Sequence, residues 1–132
     1  MATPDRPVLI VEDDREVAET LAQILEEEGY SVAVASNGQD ALELMERGKC
    51  HPSIILLDLM MPVMDGWEFH KRIGGAAASI PIVICTADGH AREKADSMKA
   101  AGYLSKPPTI DALLRVVESF CGPPASAGGH GS

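Results

Sequence analysis

The sequence predicts a doubly wound (βα)5 protein of the α/β class, with five parallel strands in the order 2-1-3-4-5. Three observations support this prediction. Short apolar runs alternate five times with amphipathic segments along the 132 residues. The runs consist mainly of Val, Ile and Leu, as expected for parallel strands buried on both faces. Finally, 132 residues suit a single domain, and repeated βα units place helices on both sides of the sheet.

Five segments have the composition of buried strands. They are residues 8–11, 31–35, 53–57, 80–85 and 103–105. The fourth contains Pro81 close to its start, where the missing N–H costs least. The order 2-1-3-4-5 is the common five-strand arrangement of doubly wound sheets, and its sites lie where the order reverses, at the carboxyl ends of strands 1 and 3.

Five helices are predicted between and after these strands. The first runs from Asp14 to a stop at Gly29, and the second follows a capping turn at residues 36–38 and ends at Gly48. A short third helix around Trp67 ends at two adjacent glycines, and a fourth covers about 90–101. The last helix is predicted to face the core with Ile110, Leu113, Leu114, Val117 and Phe120.

Composition and charge exclude several functions. The net charge of −9 argues against nonspecific binding to nucleic acid or to an anionic membrane. The sequence has no membrane-spanning apolar stretch and no signal-peptide core. Three widely spaced cysteines form no disulfide or metal pattern, so we expect reduced thiols and a cytoplasmic protein.

The predicted organisation is a short arm at 1–6, one folded domain at 7–121 and a disordered tail or linker stub at 122–132.

Charged and hydroxyl side chains follow four of the predicted strands. Because parallel strands end at one edge of the sheet, these residues should meet in one crevice. They are Glu12, Asp13 and Asp14 after strand 1, Asp58 after strand 3, Thr86 after strand 4 and Lys106 after strand 5.

Such a set suits phosphoryl transfer. Clustered carboxylates need a cation, and Mg²⁺ prefers oxygen ligands and binds one or two carboxylates together with phosphate oxygens. Asp58 could be the nucleophile toward phosphorus. Mg²⁺, Lys106 and the Thr86 hydroxyl could each neutralise or bond an equatorial phosphoryl oxygen.

Four motifs resemble the receiver domains of bacterial two-component response regulators, in particular those like the chemotaxis regulators. The motifs are VLIVEDD at 8–14, LLDLMMPVMDG at 56–66, TA at 86–87 and GYLSKP at 102–107. The resemblance extends from about residue 8 to residue 120. It implies a flavodoxin-like fold and a phosphorylated aspartate in a phosphorelay.

The resemblance also implies roles for individual residues. Asp58 would accept the phosphoryl group, and Asp13 would bind Mg²⁺ directly. Glu12 would act on the metal through water, and Met60 would supply its backbone carbonyl. Asp14 is a weaker site candidate whose simpler role is to cap the first helix.

Three further positions correspond to the conformational switch of the family. Thr86 would bond the phosphoryl group and move toward it, and Lys106 would form an ion pair with it. Tyr103 would turn inward when Thr86 shifts. Pro107 is expected to follow a cis peptide bond, which in proteins is essentially confined to proline.

The implied partners follow from the same resemblance. A histidine kinase or phosphotransfer protein would be the phosphoryl donor and would dock on the first helix. An output protein or domain would bind the face made by helix 4, strand 5 and helix 5, and no nucleic acid or membrane would be bound directly. Basic residues on or near that face would meet an acidic partner; they are Arg92, Lys94, Lys99 and Arg115. The protein would not be an enzyme beyond its own phosphorylation and dephosphorylation.

Two rival functions remain open at this stage, besides a receiver whose output lies elsewhere and which either acts alone through protein contacts or was cut from a longer protein. A magnesium-dependent phosphohydrolase with an Asp nucleophile resembles this fold, but such enzymes usually carry a second Asp where this chain has Met60. They also need a substrate cap, for which the chain has no room. A nucleotide or flavin binder is the other alternative, and the sequence lacks both the G-x-x-x-x-G-K-[ST] loop and a glycine-rich first turn.

Overall fold

A computed structural model describes residues 6–46, 51–58, 71, 80–87, 89–98, 100–106 and 108–122 of the chain. Within these residues, five parallel strands form one sheet in the order β2-β1-β3-β4-β5. The strands are β1 (Val8–Val11), β2 (Val32–Ala35), β3 (Ile54–Asp58), β4 (Ile82–Thr86) and β5 (Gly102–Ser105). The predicted fold class and strand order are therefore confirmed.

The described part of the chain contains four helices. They are α1 (Arg15–Glu27), α2 (Gly38–Glu46), α3 (Ala91–Met98) and α4 (Ile110–Cys121). The short helix predicted around Trp67 and the stop predicted at Gly48 lie outside the described residues. Accordingly, α3 and α4 are the fourth and fifth helices of the sequence prediction. None of the helices described is long and apolar enough to cross a membrane.

Side-chain caps explain where three of the helices begin. Asp14 Oδ1 accepts the N–H groups of Glu16 and Val17 at 3.0 and 3.2 Å, which fixes the start of α1. Asn37 Oδ1 and Thr109 Oγ1 accept backbone N–H groups in the same way at α2 and α4. Such caps satisfy donors that have no partner inside the helix. The role of Asp14 as a cap is thus confirmed.

The core has two layers, one on each face of the sheet, because successive strand residues point to opposite faces. One layer joins Leu9, Ile55 and Ile84 to residues of α2 and α3. The other joins Ile10 and Leu56 to residues of α1 and α4. All of these strand residues are buried, which agrees with the predicted aliphatic core.

Two details of the helix prediction are wrong. The fourth predicted helix does not reach Ala101, since α3 ends at Met98 and the Ala101 N–H donates to Ile82 O at 2.8 Å, already at the edge of the sheet. The last helix buries only part of the predicted face. Leu113 and Val117 are buried, whereas Ile110 is 55% exposed and Phe120 is 41% exposed.

Cys85 lies in the core, and its burial gives a chemical expectation. Desolvation raises the pKa of its thiol to about 12, so the thiol stays protonated at pH 8. Because only the thiolate is nucleophilic, we expect iodoacetamide to leave Cys85 unmodified in the folded protein and to modify it fully in guanidinium chloride. Peptide mass spectrometry would measure the extent of modification of Cys85 under both conditions. Rapid modification of Cys85 under native conditions would contradict its placement in β4.

Candidate functional site

A cleft of about 320 Å³ opens at the carboxyl edge of the sheet. Its lining consists of the residues singled out in the sequence together with one alanine; they are Glu12, Asp13, Asp14, Asp58, Thr86, Ala87 and Lys106. The predicted convergence of these positions is thus observed. Met60 and Pro107 lie outside the described residues, so the backbone ligand and the cis peptide bond stay predictions.

The strand register explains why residues far apart in sequence meet in this cleft. Val11 pairs with Leu57, so the residues that follow them, Glu12 and Asp58, come out side by side. Thr86 pairs with Ser105, which places Lys106 immediately beyond the neighbouring strand. The backbone N–H of Lys106 donates to the backbone carbonyl of Thr86 at 2.9 Å, which extends the hydrogen bonding between β4 and β5 by one residue.

Three carboxylates form the acidic part of the site. One oxygen each from Glu12, Asp13 and Asp58 lies within 4.8 Å of the others. Glu12 and Asp58 are only 4% and 5% exposed, whereas Asp13 is exposed at the rim. Desolvation, a hydrogen bond with Asp58 and the charge of Asp58 raise the pKa of Asp13. Carboxylates this close repel one another, and a bound cation would relieve that repulsion.

Lys106 supplies the positive charge of the site. Its Nζ lies 2.6 Å from Glu12 Oε1 and 3.4 Å from Asp58 Oδ2. Burial lowers the pKa of Lys106, but the hydrogen bonds and charges of Glu12 and Asp58 outweigh this effect and raise the pKa overall. Lys106 is therefore a permanent cation at neutral pH. One ammonium beside three carboxylates leaves a formal charge that a single divalent cation would balance.

Glu12 has contacts that the sequence did not predict. While Oε1 binds Lys106, the Asp14 N–H donates to Oε2 at 3.2 Å. Glu12 therefore holds both the ammonium and the turn that carries Asp13. The strand register could have indicated that Glu12 and Lys106 share a sheet edge. However, β3 and β4 lie between β1 and β5, so only the long lysine side chain makes the contact possible.

The switch residues differ in burial. Thr86 is 2% exposed at the end of β4, beside Asp58 on the neighbouring strand. Tyr103 is 43% exposed on β5, so its ring is directed outward in this structure. The inward turn of Tyr103 stays a prediction.

The donor set fits a hard divalent cation such as Mg²⁺, since it offers carboxylate oxygens at an open rim. We expect Mg²⁺ to raise the melting temperature, because a ligand that binds only the folded state stabilises it, by about 2.7 kcal/mol at one hundred times its Kd. Thermal denaturation with and without Mg²⁺ would measure the effect. Asp13→Asn should remove most of it, while Asp14→Asn should keep it, since Asp14 is engaged in capping α1. Equal loss in both variants would contradict this assignment of ligands.

Comparison with known proteins agrees with this architecture. The family model of the response regulator receiver domain matches residues 8–118. Response regulator MprA of Mycobacterium leprae is 37% identical over 115 residues, which cover 86% of this chain and 50% of that protein. MprA of Mycobacterium tuberculosis is 36% identical over 81% of this chain and 46% of its own length. The chain thus spans about half the length of the curated relatives it matches.

Solved structures show the same fold. The chemotaxis response regulator CheY4 of Vibrio cholerae superposes with a TM-score of 0.76 at 29% identity, covering 89% of this chain and 99% of that one. The receiver domain of the Francisella response regulator 1452 gives a TM-score of 0.77 at 28% identity, covering 88% of this chain and 96% of that one. These findings give no support to a phosphohydrolase. The chain belongs to the receiver domain family of response regulators, which act in two-component signalling.

Proposed function

We propose that Asp58 is the phosphoacceptor of this receiver domain and that a histidine kinase or phosphotransfer protein is the donor. The observation that carries the proposal is the position of Asp58. Its carboxylate lies in the cleft at the end of β3, within 3.4 Å of the Lys106 ammonium and close to Glu12 and Asp13. A carboxylate so placed has both an approach for phosphorus and neighbours that neutralise charge.

The transfer step follows from ordinary carboxylate chemistry. An Asp58 oxygen forms a bond to phosphorus while the bond between phosphorus and the donor imidazole nitrogen breaks. The bonding electron pair leaves with the imidazole, which the donor or solvent protonates. The Lys106 ammonium neutralises charge on an equatorial phosphoryl oxygen, and the Thr86 hydroxyl bonds another. Glu12 keeps Lys106 in place during this step through its ion pair of 2.6 Å.

Magnesium would be held by Asp13 and Asp58, by Glu12 through water and by the backbone carbonyl of Met60. When bound, it would neutralise charge on the oxygens of the phosphoryl group while the Asp58 carboxylate approaches the phosphorus. The three described carboxylates support this ligand set, since their oxygens lie close enough together to share one ion.

We further propose that phosphorylation switches the face made by α3, β5 and α4 toward an output protein or domain. Thr86 and Tyr103 would rearrange together, and the phosphoryl group would shift the equilibrium by its differential interaction with the two states. Arg92 and Arg115 are exposed on α3 and α4, which supports an acidic partner surface. Lys99 lies outside the described residues.

The other expectations are part of the same proposal. The receiver domain would span residues 7–121, between a short arm at 1–6 and a tail or linker stub at 122–132. The protein would act as a cytoplasmic signalling phosphoacceptor and not as a turnover enzyme, without direct contact to nucleic acid or membrane. The free thiols of Cys85 and Cys121 support a reducing compartment.

Chemical reduction would test the assignment of the acceptor. Borohydride reduces an acyl phosphate to an alcohol, so it converts a phosphorylated aspartate into homoserine. The protein is treated with acetyl phosphate and Mg²⁺, reduced and mapped by peptide mass spectrometry. Homoserine at position 58 supports the proposal. Homoserine at Asp13 or at another aspartate instead would contradict it.

A further inference from the structure

A hydrogen bond at the opposite edge of the sheet joins two distant parts of the chain. The Tyr30 hydroxyl donates to the backbone carbonyl of Gly122 at 3.0 Å, across 92 positions in sequence. Tyr30 follows α1 and precedes β2, and Gly122 directly follows α4. Both lie at the amino ends of the strands, whereas Asp58 lies at the carboxyl end of β3. The bond therefore belongs to a region separate from the acidic cleft.

Tyr30 is held firmly by its own surroundings. Its N–H donates to Leu25 O at 3.0 Å, and Gly29, with φ of 102°, turns the chain out of α1 just before it. The ring packs against the core layer that α1 and α4 share. Burial, helped by the nearby charge of Glu118, raises the pKa of Tyr30 to about 12, so the hydroxyl remains a donor at physiological pH.

The end of α4 is equally well fixed. The Gly122 N–H donates to Glu118 O at 2.8 Å, so both backbone polar groups of Gly122 are engaged. Gly122 has φ of 77°, a conformation that favours glycine. The preceding residue, Cys121, has its Sγ 3.2 Å from Oγ of Ser53, which directly precedes β3. Two consecutive residues thus tie the end of α4 to other elements.

We propose that the hydrogen bond from Tyr30 to Gly122 is a latch that fixes where and in which direction the chain leaves the receiver fold. The latch joins the last residue of the described fold to the connection between α1 and β2, at the edge of the sheet away from Asp58. Whatever follows Gly122 would therefore start from a fixed point beside the end of α1. This role is independent of the phosphoryl chemistry proposed for the cleft.

Hydrogen exchange measured by NMR on the full chain tests the latch. Tyr30→Phe removes one oxygen, and loss of a hydrogen bond worth about 1 kcal/mol should accelerate exchange of the Gly122 amide roughly fivefold. The matched control is Tyr103→Phe, because the chain has two tyrosines and the donor to Gly122 is Tyr30, whereas Tyr103 lies on β5. This variant should leave Gly122 unchanged. The amide of Ile84, buried in β4, reports global opening.

The outcomes are distinct. Acceleration at Gly122 in Tyr30→Phe, without a comparable change at Ile84, supports the latch. Unchanged exchange at Gly122 would overturn the proposal. Equal acceleration at Gly122 and Ile84 would also overturn it, because the hydroxyl would then contribute only to global stability and not to the local hold on the end of α4.

Discussion

Asp58→Asn should abolish phosphorylation by acetyl phosphate. In the wild-type protein with Mg²⁺, we expect the intact mass to increase by one phosphoryl group, and we expect no such increase in the variant or without the metal. The physical reason is that an amide oxygen is a far weaker nucleophile than a carboxylate. The substitution keeps the shape of a side chain that is only 5% exposed at the end of β3, so the fold should survive.

Two neighbouring carboxylates provide matched controls. Asp13→Asn removes a proposed metal ligand and should slow formation of the adduct roughly a hundredfold, since metal stabilisation of transition-state charge is worth several kcal/mol. Asp14→Asn removes the same charge one position later and should change the rate only a few-fold, because asparagine caps a helix about as well as aspartate. An adduct that persists in Asp58→Asn would show that another residue is the acceptor.

Absence of an adduct in the wild-type protein would have two explanations, rapid hydrolysis or a site that no longer accepts phosphate. Beryllofluoride separates them, because a competent site should still bind this phosphoryl mimic with Mg²⁺. Binding that requires Asp58 would indicate rapid hydrolysis. No binding would contradict the proposed function of the cleft.

The arrangement of the site could be predicted because a parallel sheet makes position follow from sequence. Each strand is a recognisable apolar run, and the residue after its carboxyl end must emerge at one edge. The register confirms this for Glu12 and Asp58, which follow the paired residues Val11 and Leu57. The prediction needed no knowledge of side-chain conformation, only of where the runs end and of the strand order.

The contacts within the site could not be predicted in the same way. The Lys106 ammonium lies closer to Glu12 than to Asp58, at 2.6 against 3.4 Å, although β4 and β3 separate β5 from β1. This preference depends on how a long flexible side chain balances two buried carboxylates. No periodicity in the sequence carries that information. The bond between Tyr30 and Gly122 depends in the same way on tertiary packing.

The error in the last helix has a geometric origin. Helical spacing identifies the side of α4 that faces the sheet, but it does not identify which turns lie above the sheet. With 12 residues, α4 is about 18 Å long. Strands of four or five residues span only about 13–17 Å. The middle turns at Leu113 and Val117 therefore pack on the sheet, while Ile110 and Phe120, at the two ends, remain exposed.

Substitutions in α4 should reveal this difference in stability. Leu113→Ala removes a side chain that is 1% exposed, and we expect it to lower the free energy of unfolding by about 3 kcal/mol, through lost burial and the cavity that remains. Ile110→Ala deletes the same number of carbons from a side chain that is 55% exposed. This substitution should lower the free energy of unfolding by less than about 1 kcal/mol, partly because alanine favours the helix.

Urea denaturation would measure both variants against the wild-type protein. The midpoint should fall strongly for Leu113→Ala and slightly for Ile110→Ala, with an unchanged dependence of the free energy on urea concentration, since both variants should unfold from the same compact state. The pair is informative because the two substitutions differ in burial and not in the amount of hydrocarbon removed. Equal costs would mean that Ile110 also packs against the sheet, as the helical spacing alone predicts, and that the first turn of α4 lies closer to β5 than this structure places it.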